Sequence, residues 1–287
     1  MWQADELDVW FRGWARVSDG EAPVGVIDYT RDGAVGTIVV SDPPQNRLTL
    51  SMIDDFGEAL NCVGTTEVRA LVIRGAGENF SCGGDVQGWF DMDADAAEVR
   101  HYLLRLNQLF QQIEELPVPV IAAVRGLCTG GGLELALHCD LVVAARDAQL
   151  RFPETGIALS PVGGGVQRVA ERAGRAGAAR LAMLADTITG VDAERMGLVA
   201  RLVDAEEVLY VADELAHRLG GGPTLAYATI KQLLLTWSQG GVGAADRMML
   251  AAAQPSLESQ EFRGGIRRAV AAIRATTSHT SQDWRGE

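Results

Sequence analysis

From Gly25 onward the chain alternates short β-rich runs with longer stretches of helical period. GVIDYT and AVGTIVV flank Arg31-Asp32-Gly33, and an Asp-Gly pair between two such runs predicts a hairpin. A helix-like segment, LSMIDDFGEALNCV, follows and leads into the β-rich run VRALVIRG. Residues 94–116 carry the clearest helical signal. Val99, Tyr102, Leu103, Leu106, Leu109, Phe110, Ile113 and Leu116 recur at three- and four-residue steps, making one apolar stripe, and Pro117 and Pro119 end it. VPVIAAV is a short apolar run of buried-strand type. It feeds a glycine cluster, a further helix and the strand-like DLVVAA. Beyond residue 160 the segments become long, helical and rich in Ala, Leu and Arg, broken at GLV, GGGP and QGGVG. Strand-plus-helix units followed by a mainly helical tail predict an α/β core with a helical C-terminal region. The expected division is an N-terminal extension over residues 1–22, a core over 23–203 and a helical region over 204–287.

Composition narrows the partners. A chain of 287 residues, 47% hydrophobic, can bury a large core. Its net charge of −13 leaves no basic excess to neutralise phosphates, which argues against a nucleic-acid partner. Cys62, Cys82, Cys128 and Cys139 fall in no CxxC or zinc spacing, and none of the four histidines has metal-ligand spacing, so no metal is expected. Reduced thiols and the lack of a long apolar run point to a cytoplasmic protein without a membrane segment.

The candidate chemistry lies in the glycines. In GLCTGGGLELALHCD, residues 126–140, three adjacent glycines stand before Glu134 at the start of a helix. Either the backbone comes very close to a ligand there, or the stretch is a tight strand-to-helix turn. No lysine follows as a P-loop requires, and the dinucleotide pattern GxGxxG fails at Leu135. First-turn amides can instead hold an anion that exists only in a transition state, and such a hole needs a second donor. A second small loop, NFSCGGDVQGW at residues 79–89, also follows a predicted strand and centres on Cys82-Gly83-Gly84.

FSCGGDV at 80–86 resembles the F-x-A-G-A-D-[IL] loop of the enoyl-CoA hydratase/isomerase (crotonase) family. The stretch at 126–140 is similar to the family's G-x-x-x-GGG-x-E signature, and LRFPETGIALSPVGGGVQRV at 150–169 to its P-E-x-x-x-G-x-x-P-x-x-GG-x-Q-R segment. The resemblance covers roughly residues 24–275. It implies a spiral of β-β-α turns with a helical C-terminal trimerisation region, assembling as a homotrimer or a dimer of trimers. It also implies an acyl-CoA thioester substrate, with coenzyme A as part of the substrate and no separate cofactor.

Carried onto this chain, the resemblance makes Glu134 and Glu154 the catalytic carboxyls, Glu134 activating a water and Glu154 supplying the Cα proton. It makes the amides of Cys82 and Gly131 the oxyanion hole. Gly83, Gly84, Asp85, Arg47, Trp89 and Lys231 become substrate-binding candidates, with Phe90 beside Trp89 on the acyl pocket. His138 is read as a packed core histidine. Taken alone, Glu134 also fits a first-turn acid favoured by a helix dipole, and Glu154 a cap of the turn before a helix or a residue on a solvated face. Hydration of a 2-enoyl-CoA is the function implied. Double-bond isomerisation, another acyl-CoA reaction of the family, and a catalytically idle acyl-CoA-binding subunit are the alternatives. Arg125, where the family has asparagine, and Val162, where it often has glycine, depart from the pattern.

Overall fold

The computed structural model describes residues 25–280. The extension expected over residues 1–22 lies outside them. The hairpin forms as expected: β1 (Val26–Asp32) and β2 (Val35–Ser41) pair antiparallel, and Gly33 takes the left-handed conformation (φ 56°) that the turn demands. From β2 the chain winds in repeating turns of a long strand, a short strand and a helix. The long strands β2, β4 (Ala70–Gly75), β6 (Val120–Val124), β8 (Leu141–Ala145) and β11 (Arg201–Val203) pair in parallel, giving the order β1-β2-β4-β6-β8-β11. VIAAV in β6 is buried at every position, as a strand covered on both faces must be.

The short strands build a second layer. β3 (Arg47–Leu48) pairs with β5 (Gly83–Gly84), while β7 (Leu127–Thr129), β9 (Gln149–Arg151) and β10 (Ile188–Thr189) form a small sheet. A single bridge, Ser81 to Cys128, links the two groups. That bridge brings the loops carrying the two glycine clusters side by side.

Helices close each turn: α1 (Leu50–Thr65), α2 (Val86–Asp91), α3 (Ala96–Glu115), α4 (Gly131–His138), α5 (Gly165–Met183), α6 (Gly190–Arg195) and α7 (Val208–Gly220). The predicted stripe on α3 is the buried one, with Tyr102, Leu106, Leu109, Phe110 and Ile113 inside. Asp95 and Glu98 form a capping box that starts this helix. α4 is buried at all eight positions, so the glutamate it carries sits in the core.

The first compact unit runs to Gly222, past the boundary expected at residue 203. The reason is α7, whose buried Val208, Ala212, Ala216 and Gly220 pack it across β4, β6 and β8. The second unit holds α8 (Thr224–Gly240), α9 (Val242–Glu258) and α10 (Gln260–Thr280). α8 and α9 pack together, with Thr229 Oγ1 donating to Ala252 O at 3.0 Å. Few of its side chains are buried, and Leu250 (74% exposed), Ile273 (65%) and Val242 (64%) stand out among its apolar residues. No helix among the described residues is long and apolar enough to cross a membrane.

Candidate active site

One pocket gathers Cys82, Gly84, Trp89, Gly131, Glu134 and Glu154. The glycines explain how two loops come so close. A Cβ on Gly132 would lie 2.2 Å from Ser81 O, and one on Gly83 would lie 2.5 Å from the Gly131 nitrogen. Gly130 has positive φ (54°), and a Cβ there would reach within 3.1 Å of Glu154 Oε1. This is a tight turn, and its backbone lines a pocket.

Glu134 is 3% exposed, and its Oε1 accepts the Gly165 amide at 3.0 Å. Burial pushes its pKa up to about 7, opposed by the amides of Gly165 and Gly163 and by the charge of Arg168. Glu154 opens a 3₁₀ turn after Pro153, and its Oε2 is buried with no hydrogen-bond partner in the protein. Burial, then the neighbouring Glu134 charge, raises it to about 8. Near neutral pH such a pair retains a proton, and the two titrate together rather than singly. His138 is spent on structure, as expected: its Nδ1 lies 2.7 Å from Glu134 O and its ring packs on Phe110 at 4.9 Å. Burial lowers its pKa to about 4, so at neutral pH the uncharged ring donates that bond through Nδ1–H.

Of three glycines that sequence reasoning left without a role, Gly163 and Gly165 make room for Glu134 and Gly164 makes room for Arg168. A Cβ on Gly163 would sit 2.3 Å from Glu134 Oε2 and 2.9 Å from Phe110 Cε2. Gly163→Ala is therefore expected to displace the carboxylate, lowering turnover by about 10²-fold. Overpacking should add roughly 1–3 kcal/mol of destabilisation. Steady-state kinetics and thermal unfolding of the variant check both.

The Cys82 amide corrects an expectation. Its N–H donates to Gln45 O at 2.8 Å and is thus committed within the fold, so Cys82 does not serve as an oxyanion donor. Cys82 lines the pocket, and its buried thiol is pushed up to about 11 by desolvation and hence neutral. The loop nitrogen that faces Gly131 belongs to Gly84, 3.6 Å from where a Gly131 Cβ would be. Alternating loop amides point opposite ways, and residue types do not reveal which way.

Arg47 is likewise occupied. Its Nε and Nη2 bind Asp42 at 2.6 and 3.2 Å and its Nη1 binds Asp85 at 3.1 Å. Two carboxylates on one guanidinium leave a net negative cluster, which does not suit a phosphate. Arg47 thus ties β3 to the 79–89 loop, and its expected place by the substrate rests on the resemblance alone. Asp85 caps α2 through the Gly88 amide at 3.1 Å, so it holds loop geometry. Arg47→Ala would strand Asp42, whose side chain is only 6% exposed, and a loss of about 3 kcal/mol in unfolding free energy is expected. Denaturant titration measures it. Phe90 is 81% exposed and does not join Trp89 on the pocket wall. Lys231 lies on α8 of the second unit, and its expected place by the substrate rests on the resemblance alone. Val162 lines the pocket, and Arg125 Nη2 donates to Gly77 O. Among the described residues no cluster of His, Cys, Asp and Glu is arranged to hold a metal ion.

Known proteins resemble this chain in sequence and in fold. The family described as enoyl-CoA hydratase/isomerase matches residues 30–268. The chain is 33% identical over 210 residues to a short-chain-enoyl-CoA hydratase of Clostridium acetobutylicum, covering 71% of this chain and 78% of that protein. It is 37% identical over 175 residues to a crotonyl-CoA hydratase of Syntrophomonas wolfei, covering 61% and 66%. The crystal structure of an enoyl-CoA hydratase from Polaromonas sp. JS666 superposes with a TM-score of 0.82 at 31% identity, over 86% of this chain and 98% of that one. With its strand order, its paired glycine loops and these matches agreeing, the chain belongs to the enoyl-CoA hydratase/isomerase (crotonase) family.

Proposed function

We propose that this protein is an enoyl-CoA hydratase, adding water across the 2,3 double bond of a 2-enoyl-CoA thioester. The observation that carries the reading is the single pocket in which buried Glu134 and half-buried Glu154, both with raised pKa, stand beside the facing glycine loops. Addition of water needs a base for the attacking oxygen and an acid for Cα. Ionised Glu134 takes a proton from the water as its oxygen bonds to Cβ. The π electrons move toward the thioester oxygen, making an enolate, and return as the new Cα–H bond forms with a proton from Glu154. One water is consumed, and the two carboxyls recover their charges by proton exchange with solvent.

The enolate oxygen needs donors already in place. The Gly131 amide lies in the first turn of α4, where no intrahelical partner exists for it. Gly84 takes the place first given to Cys82, because its nitrogen is the one beside Gly131. Each such donor is typically worth ~10²–10³ in rate.

Assembly as a cytoplasmic homotrimer or dimer of trimers is part of the same reading, supported by the exposed apolar side chains of α8 to α10. Light scattering on the purified protein tests the oligomer. For the chemistry, crotonyl-CoA in heavy-oxygen water should lose its enoyl absorbance and gain a labelled hydroxyl at Cβ. A shifted double bond without label, or release of free coenzyme A, would replace hydration with isomerisation or hydrolysis.

A further inference from the structure

Beside the pocket lies a second cavity of ≈ 570 Å³, against ≈ 50 Å³ for the space next to the glutamates. Only Trp89 and Tyr102 line both. Their rings meet edge to face, centroids 5.0 Å apart and planes at 73°. Tyr102 is 4% exposed and fixed by its hydroxyl, which donates to Leu48 O at 2.7 Å. Trp89 is held less firmly, since α2 has no buried residue.

The carboxylates around the second cavity are already engaged. Asp85 pairs with Arg47, while Asp95 and Glu98 close the capping box of α3. Leu50, Met92, Ala94 and Ala97 supply apolar lining suited to methylene groups. The ≈ 50 Å³ on the catalytic side has room for only a few water-sized groups.

We propose that the Trp89–Tyr102 contact is a partition that sets acyl length: it confines the enzyme to short 2-enoyl thioesters, and opening it joins the second cavity to the pocket for longer chains. This rests on the hydratase reading above. The test compares wild type with Trp89→Ala and Trp89→Val on four-carbon and ten-carbon 2-enoyl-CoA, scored as the ratio of kcat/KM for the long substrate to that for the short. Wild type should favour the short chain, and both variants should raise the ratio about tenfold or more. Tyr102→Phe, which keeps the ring wall and loses only the hydroxyl bond, should leave the ratio near the wild-type value. A damaged fold lowers both substrates alike and leaves the ratio unmoved. An unmoved ratio in Trp89 variants that keep wild-type circular dichroism and four-carbon turnover, or a wild type that already prefers ten carbons, would overturn the partition. Wild type inert toward both chains would instead overturn the hydratase reading.

Discussion

Glu154→Gln is expected to lower kcat for crotonyl-CoA hydration by about 10²–10⁴-fold, and Glu134→Gln by a similar factor. Glutamine keeps the shape of each side chain but neither donates an acidic proton nor accepts one from water. Because both carboxyls act on one addition, the double variant should fall little below the weaker single. The pH dependence separates their roles. Base action by Glu134 requires pH above about 7, and acid action by Glu154 requires pH below about 8, so kcat/KM should peak between them. Removing Glu134 should flatten the acidic limb, and removing Glu154 the basic limb.

The same substitutions should stabilise the fold at high pH. Both native carboxyls hold protons more tightly than unfolded ones, so the native state binds more protons between the two ranges. Stability linked to them is full below the unfolded pKa and is lost as pH rises through the native values near 7 and 8. Above pH 8 Glu134→Gln should therefore gain roughly 3 kcal/mol over wild type, and below pH 4 almost nothing. Thermal unfolding at both extremes measures the difference. A loss at both would mark the carboxylate as structural.

Gly131→Pro is expected to cost about 10²–10³ in kcat by deleting one enolate donor. The first position of a helix tolerates proline, because its N–H has no intrahelical acceptor and the ring already holds a helical φ. The fold should survive, as near-native circular dichroism would verify. Calorimetry with a saturated acyl-CoA should show affinity reduced much less than turnover, since the oxygen bears its full charge only in the enolate. Equal losses in affinity and turnover would mean that the ring had pushed aside Gly83, which packs against this nitrogen.

Much of this was readable in the chain. Asp32-Gly33 placed the hairpin, the stripe from Tyr102 to Ile113 placed α3, and the two glycine loops with Glu134 and Glu154 placed the pocket. The first two are matters of residue type and period, whereas the pairing of Glu154 with Glu134 came from the family resemblance. What escaped depends on direction and distance instead. Gly83, at φ 86°, turns the loop backbone, and no composition rule says which neighbouring amide then faces Gly131. Arg47 became a substrate-binding candidate by resemblance, and its pairing with Asp42 and Asp85 escaped because those acids meet it only once the fold brings them together. α7 could not be told from α8 to α10, since all are rich in Ala and Leu and only packing separates a helix laid on the sheet from those beyond Gly222.

The bond from the Gly165 amide to Glu134 has one more consequence. α5 begins at Gly164-Gly165, where no side chain of its own caps the helix. Glu134 therefore acts as a borrowed N-cap, its negative charge set against the positive end of the α5 dipole. Each time the carboxyl takes a proton from water, α5 loses part of its cap. Local opening at the start of α5 and the charge on Glu134 are thus coupled: the protection factor of the Gly165 amide, with the pH dependence of base-catalysed intrinsic exchange divided out, should fall as pH drops through 7 even though the fold as a whole gains stability there, reporting the charge on Glu134 without any substrate present.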